Sequence, residues 1–490
     1  MILKTKKKLI AIMFLLGIVS SVAVQNKPNI IFIYTDDQAD WTVGISGNAQ
    51  AHTPNLDRLA KGGAYFKNAY VTTPVCSPAR VALITGQYAS EYGVSDFIPQ
   101  KGHKLYDEKK PIGLDTSSIT FAEVLKKEGY KTALIGKWHV GEWSDTDKKF
   151  HPTNHGFDYF MGLKGGGVSP NNPTLEKDGK SRQFKGLTDD ILTEEAISFI
   201  DNNKKQPFLL NVHYRAPHTA WLPVAEEDWA PYKDMDPIIP NPNYPDLNIP
   251  KVKSRMKEYL ASVSGIDRNV GKILKRLEEL HLSENTIVIF TSDHGYNMGH
   301  NGIEHKGNGI WITKSNHPAS KNIAENSRPN LYNNSLRVPA FIKWPAKITP
   351  GMVIDKTISS LDWYPTILEM AGAKVPKQKI LRGKSVLPLL KKEPVKKWDN
   401  DFYAEYSMIN YSKAYMRSYQ TPEWKLVKDF LDPSRDELYH LKKDPQESVN
   451  LIKSSSKQAT GAIKKLTGKI TNKMKEINDP LLEQIKNGFK

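Results

Sequence analysis

The stretch N-I-I-F-I-Y-T-D-D, residues 29–37, decides the fold. It is a nearly unbroken run of apolar and β-favouring side chains that ends in two carboxylates. A run without polar alternation suits a strand buried on both faces, as in a parallel sheet covered by helices. Three further runs repeat the design: Thr132–Gly136 ends at Lys137 and His139, Phe208–Val212 leads to His213 and His218, and Thr286–Thr291 leads to Asp293 and His294. Helix-like stretches lie between them: Thr53 and Pro54 opening N-L-D-R-L-A, then Phe121–Glu128, Glu194–Asp201 and Arg255–Leu280. The alternation predicts an α/β fold, a doubly wound mixed sheet flanked by helices, in which ligands gather beyond the carboxyl ends of the strands. Four polar clusters at four strand ends then share one cleft.

Residues 374–400 are rich in Lys and Pro, and Phe402–Phe430 alternates like antiparallel strands. This predicts a main domain over 24–395 and a smaller C-terminal α+β subdomain over 396–490, containing an antiparallel sheet and a terminal helix. Residues 1–23 show a lysine-rich start, an apolar run from Leu9 to Val19 and small residues up to Ala23, the layout of a cleaved secretory signal. The run is short for a membrane span, so the expectation is an exported chain, periplasmic or secreted, without a stable membrane anchor.

Of 490 residues, 39% are hydrophobic, 25% charged and 10% aromatic, which excludes a disordered or fibrous chain. The formal charge is +16. Lys4, Lys6, Lys7 and Lys8 contribute to it, and half of the remainder lies in residues 453–490. There Ile463, Leu466, Ile470, Ile477 and Leu481 recur at near-helical spacing. That tail reads as an amphipathic helix with a solvated basic face and not as a nucleic-acid arm. The residual charge hints at an anionic partner.

Cys76 is the single cysteine of an exported chain, so no internal disulfide staples the fold. It stands in C-S-P-A-R, where Pro78 suits the first turn of a helix beginning near Ser77. Residue 76 then sits where free N–H groups and the helix dipole favour an oxyanion. An inert buried cysteine is the plain alternative, but Pro at +2 and Arg at +4 follow a given cysteine by chance only about once in 400. Asp36, Asp37 and Asp293 offer hard oxygen ligands for a divalent cation, although paired carboxylates also cap helices and open turns.

C-S-P-A-R resembles the signature of the formylglycine-dependent sulfatases of the alkaline phosphatase superfamily. P-N-I-I-F-I-Y-T-D-D-Q, T-P-N-L-D-R-L-A-K-G-G, G-K-W-H-V-G, A-P-H, S-D-H-G-Y and D-E-L-Y-H-L-K-K-D-P-Q-E resemble family segments in their expected order. The resemblance implies an alkaline phosphatase-like fold, formylglycine made from Cys76 by a maturation enzyme, and a metal, usually calcium, held by Asp36, Asp37, residue 76, Asp293 and His294. His294 stands where many members have Asn, and its nitrogen leaves room for Mg²⁺ or Mn²⁺. The resemblance further assigns Arg80 to charge around residue 76, Lys137 and Lys306 to the sulfate oxygens, His139 to the residue-76 side chain as a base, and His218 to the leaving alcohol. Asn308–Asn330 looks like an insertion after Lys306. His213, His300 and His305 receive no role, and Trp221, Trp229 and Trp311 are candidates for stacking on sugar rings.

The expected activity is hydrolysis of sulfate esters on a sulfated oligo- or polysaccharide. Two rivals stand beside it: a phosphodiester or phosphonate monoester hydrolase of the same superfamily, and a non-catalytic binder of sulfated glycans with unconverted Cys76.

Overall fold

The computed structural model describes residues 27–107, 109–144, 147–393, 395 and 397–489. The signal reading over residues 1–23 lies outside them. In chain order the strands are β1 Asn29–Thr35, β2 Ala64–Tyr70, β3 Lys131–Lys137, β4 Tyr159–Leu163, β5 Thr174–Lys177, β6 Lys180–Gln183, β7 Phe208–His213 and β8 Thr286–Ser292. They continue as β9 Ile303–Glu304, β10 Ile310–Trp311, β11 Ala340–Lys343, β12 Met352–Ser359, β13 Phe402–Met408, β14 Ala414–Gln420, β15 Lys425–Asp429 and β16 Glu437–Tyr439.

One 10-stranded sheet runs β12-β2-β11-β8-β1-β7-β3-β4-β5-β6. The four strands read from the sequence are its four adjacent central members, β8, β1, β7 and β3, all parallel. Burial on both faces explains their lack of alternation. Ile30, Phe32 and Tyr34 enter a core shared with Phe121 and Trp363. Ile31 and Ile33 enter the opposite core with Leu56, Ile266 and Val270. Each such side chain contributes about 1.5–3 kcal/mol on burial. The sheet is mixed because β11 pairs antiparallel with both β2 and β8, and β5 with both β4 and β6.

Helices cover both faces, and their ends follow local chemistry. Phe121–Lys127 starts at a capping box between Thr120 and Glu123. The longest helix, Ile249–Glu279, begins six positions before the expected Arg255, because Asn248 caps it by accepting from Lys251 N and Pro250 fits its first turn. Glu194–Asp201 is the centre of a longer helix, Thr188–Asn203.

A separate 4-stranded antiparallel sheet runs β13-β14-β15-β16. Helix Lys457–Glu476 packs on it through Ala459, Ala462, Leu466, Ile470 and Met474, against Tyr403, Leu426 and Leu438. The amphipathic tail therefore differs in detail from the expected stripe. Ile463 is half-buried, Met474 completes the apolar face, Ile477 ends the helix and Leu481 opens a second one, Leu481–Lys486. Among the described residues no helix is long and apolar enough to cross a membrane.

Candidate active site

The floor of the site forms at the carboxyl ends of the central strands. Asp36 and Asp37 follow β1, Lys137 ends β3, and Asp293 and His294 follow β8. Cys76 opens the wholly buried helix Cys76–Thr85, one residue earlier than the expected start at Ser77. Gly136 permits the close approach of β3 to β7: its φ is +115°, and a Cβ there would lie 1.8 Å from the His213 carbonyl oxygen.

Ligand atoms of Asp36, Asp37, Cys76 and His294 all lie within 4.8 Å of one another, and all four residues are buried. Cys76 Sγ is 3.4 Å from both Asp36 Oδ1 and His294 Nε2. With its Nδ1 proton donated to Gly295 O at 3.0 Å, the His294 ring presents the Nε2 lone pair to this cluster. Two carboxylates, an imidazole nitrogen and the residue-76 side chain are a donor set that fits a divalent cation. Asp293 stands at the cluster's edge. Its Oδ2 accepts the Arg80 fork at 3.1 and 2.9 Å, while its Oδ1 accepts from Asp37 N at 3.0 Å and lies 3.3 Å from His294 Nε2.

Cations surround the carboxylates. Lys137 Nζ donates to Asp36 Oδ2 at 2.5 Å, and Lys306 pairs with Asp37 while its Nζ lies 3.2 Å from Cys76 Sγ. Burial alone would raise the Asp37 pKa, but Lys306, His218 and His294 outweigh it and hold the carboxyl at about 2. Asp36 is likewise held well below its usual range, by Lys137 first among its cationic neighbours. Burial, then Asp36, pushes the Cys76 thiol up to about 12, so an unmodified thiol stays protonated and is a poor nucleophile.

Arg80 also donates to Lys137 O at 2.8 Å, a carbonyl that lies 3.0 Å from His213 Nδ1 as well. His213 thereby supports the bend between β3 and His139. Burial, then Lys137, lowers the His139 pKa well below its usual value. His139 Nε2 lies 3.0 Å from Ile98 O, leaving a buried Nδ1 without a partner. Burial also lowers the His218 pKa, and its Nδ1 lies 2.7 Å from Thr219 O, which leaves Nε2 as the other ring nitrogen open to a ligand.

A cleft of about 570 Å³ opens over this floor, lined there by Asp37, Cys76, His139, His218 and Lys306. Lys137, expected on the sulfate oxygens, lies fully buried beneath Asp36 and does not line it. Sequence reasoning missed the walls. One is Phe97–Gln100 with His103; another is the segment Asn308–Asn330, through Asn308, Ile310 and Glu325; a third comes from Met408 and Tyr411 beside the small sheet. The half-buried His305 also lines the cleft, with its pKa lowered to about 4 by burial. His300 does not; it packs against Trp41.

The segment Asn308–Asn330 is closed at its base. Gly307 N donates to Pro74 O at 3.0 Å, and Asn330 Nδ2 donates to Lys306 O at 2.7 Å while Asn330 N donates to Gly307 O at 2.9 Å. These bonds, with the pairing of Ile310 and Trp311 to Glu304 and Ile303, hold Lys306 over Cys76.

The three tryptophans do not line the cleft, which corrects the expectation that they stack on sugars. Trp221 is 4% exposed and packs on Tyr259 and Tyr296. Trp229 joins the same apolar cluster, and Trp311 stacks on His317 at 4.3 Å. Each found a local aromatic or apolar neighbour, the usual fate of a loop tryptophan.

Residues 28–373 match the family model described as Sulfatase, and residues 327–476 match the model for the C-terminal part of N-sulphoglucosamine sulphohydrolase. The chain is 29% identical to the steryl-sulfatase of Homo sapiens over 468 residues, covering 80% of this chain and 73% of that one. It is 26% identical to an N-acetylglucosamine-6-O-sulfatase of Bacteroides thetaiotaomicron over 508 residues, covering 87% and 83%. A crystal structure of Ps i-CgsB in complex with k-i-k-neocarrahexaose is similar with a TM-score of 0.69 at 29% identity, covering 90% of this chain and 92% of that one. A family match across most of the chain, over a floor of paired carboxylates, buried cations and a lone cysteine at a helix start, establishes that the chain belongs to the sulfatase family and is a sulfuric ester hydrolase.

Proposed function

We propose that the chain removes sulfate from a sulfated oligo- or polysaccharide, with residue 76 acting as formylglycine after enzymatic oxidation of Cys76. The observation that carries this reading is the position of Cys76 at the foot of the cleft. Lys306 Nζ, Asp36 Oδ1 and His294 Nε2 lie 3.2–3.4 Å from its Sγ, while the thiol itself is held protonated. The sulfur stands in for an oxygen of the hydrated aldehyde, a geminal diol.

Asp36, Asp37 and His294 would hold the divalent cation, calcium by family resemblance, with Asp293 at its edge. Bound there, the cation would lower the pKa of a diol oxygen. That oxygen attacks sulfur in line, and the S–O bond to the sugar breaks. Lys306, and Arg80 from beneath, offset the charge gathering around residue 76 and the sulfate. His218 gives its Nε2 proton to the departing sugar oxygen; the sulfate's own negative charge favours the protonated imidazole in the complex. His139, neutral and with Nδ1 unpartnered, takes the proton of the second hydroxyl, so that sulfate leaves and the aldehyde returns.

Beside the apolar Ile98, Ile310 and Met408, the walls offer Gln100, His103, Asn308 and Glu325, donors and acceptors that suit sugar hydroxyls. The relatives named for N-acetylglucosamine sulfate and crystallised with a carrahexaose support the same class. Export to the periplasm or beyond, read from residues 1–23, belongs to this proposal.

The test is ion chromatography of sulfate released from defined sulfated oligosaccharides, alongside mass spectrometry of the Cys76 peptide. Sulfate release that scales with formylglycine occupancy is expected. A preference for steryl sulfate or for phosphodiesters over every sulfated glycan would overturn the carbohydrate reading. Full activity in protein with unmodified Cys76 would overturn the nucleophile.

A further inference from the structure

The third wall of the cleft has a feature that desulfation at the floor does not require. Tyr411 is 45% exposed, yet it is held from several sides. Its hydroxyl lies 3.0 Å from His103 Nε2, its ring centroid is 5.4 Å from that of Phe97 with planes 31° apart, and Lys104 Nζ lies 5.7 Å from it. The backbone beneath is fixed by a buried carboxylate. Asp96 Oδ2 accepts from Ile409 N at 2.9 Å and from Asn410 N at 3.0 Å, and Asn410 Nδ2 donates to Phe97 O at 2.8 Å. Two segments about 310 positions apart are thus locked together to present one aromatic face at a cleft that also contains Cys76.

An exposed aromatic ring with little freedom left to lose is a seat for a flat apolar surface, because stacking on it costs little further ordering. The C–H face of a pyranose is such a surface. A saccharide whose sulfate reaches the floor fills the space above Cys76 with the sulfated sugar, and Tyr411 lines the same continuous space. Lys104 and His103 beside the ring add cations or donors for an anionic substituent.

We infer that Tyr411, braced by Phe97 and His103, seats a second sugar ring next to the one that loses its sulfate, and that this neighbour carries an anionic group paired with Lys104. The substrate class is then an anionic oligosaccharide of two or more units and not a lone monosaccharide sulfate. This rests on the carbohydrate reading above. It assigns Tyr411 a specificity role through substrate contact, separate from the chemistry at residue 76.

The experiment uses the formylglycine-bearing, metal-loaded enzyme with two substrates: a defined sulfated oligosaccharide that the wild type desulfates, and 4-nitrophenyl sulfate, which is too small to span floor and rim. For Tyr411→Ala, KM for the oligosaccharide should rise about five- to tenfold with kcat unchanged, the loss of one stacking contact made equally in ground and transition states. Its kcat/KM for 4-nitrophenyl sulfate should stay at the wild-type value. Tyr411→Phe keeps the ring and should restore the oligosaccharide KM. Lys104→Gln should weaken the salt dependence of that KM and leave the aryl ester unaffected. Equal loss on both substrates, or none on the oligosaccharide, would overturn the platform. A wild type that hydrolyses the aryl ester but no glycan would remove the carbohydrate reading and the platform with it. A wild type that desulfates glycans as well as Tyr411→Ala does would remove the platform alone.

Discussion

Lys306 serves two groups at once: its ammonium pairs with the Asp37 carboxylate and lies 3.2 Å from Cys76 Sγ. In the proposed mechanism, a cation fixed between a metal-holding carboxylate and the nucleophile's position stabilises charge where it develops. Lys306→Ala should lower kcat for sulfate release by about 10²–10³-fold, the scale of losing one preorganised donor. Steady-state sulfate release with formylglycine occupancy matched by mass spectrometry checks this. A loss confined to KM would contradict it.

The proposed mechanism requires two oxygens on residue 76. Cys76→Ser offers one hydroxyl at the same helix start, so it can take up sulfate but has no second hydroxyl with which to expel it. No turnover is expected from Cys76→Ser or Cys76→Ala, and both should keep folding stability within about 1.5 kcal/mol because the change in buried volume is small. Activity assays paired with denaturant melts test both halves.

The metal should be part of the folded site. With Asp36, Asp37 and His294 converging on one point, stripping divalent ions with a chelator should abolish turnover and lower the melting temperature, and added calcium should restore both. His294→Ala removes one nitrogen donor and should raise the calcium concentration for half-maximal thermal stabilisation by about tenfold or more. Undiminished melting temperature and activity after exhaustive chelation would refute this.

Acid should remove two identifiable contributions to the stability of the metal-free protein. Burial, then the Arg80 charge, holds the His213 pKa at about 3, against about 6.5 in an unfolded chain. As the pH falls the unfolded chain takes this proton first, so the contribution is fully present above pH ~6.5 and is lost progressively toward pH ~3. Asp37, held at about 2, adds a second loss between pH ~4 and pH ~2. Unfolding free energies at pH 7, 6, 5 and 4 should fall by on the order of 1.4 kcal/mol per pH unit from His213 alone below pH 6. His213→Gln should flatten that slope, even though it also lowers stability at pH 7.

The central strands were legible because burial on both faces leaves a sequence with no polar interruption, as in Asn29–Thr35. The sheet's outer strands were not. Lys180–Gln183 in β6 is exposed along its whole length, and β12 mixes buried Ile354 and Ile358 with exposed Val353, Asp355 and Lys356. In both, pairing partners and not side-chain pattern define the strand. Asp36, Asp37, Lys137, His139, Asp293 and His294 were legible because they end or closely follow central strands, whereas Cys76 was marked by C-S-P-A-R at a helix start and Lys306 only by family resemblance. The rim was not, because Phe97, His103 and Tyr411 come from loops with no period, and only the tertiary fold, through Asp96, brings them together. The tryptophans misled because a large aromatic in a loop carries no mark of whether a neighbour already covers it.

The closed base at Gly307 and Asn330 is one of several ties that bind residues 308–330 to the body of the fold. Ile310 and Trp311 pair with Glu304 and Ile303, Ile312 N donates to Gly302 O at 2.9 Å, and Asn248 N donates to Ile312 O at 3.0 Å. A replacement of this wall must therefore carry the β9–β10 ladder with it, because a sequence that breaks the ladder also shifts the turn that bears Lys306.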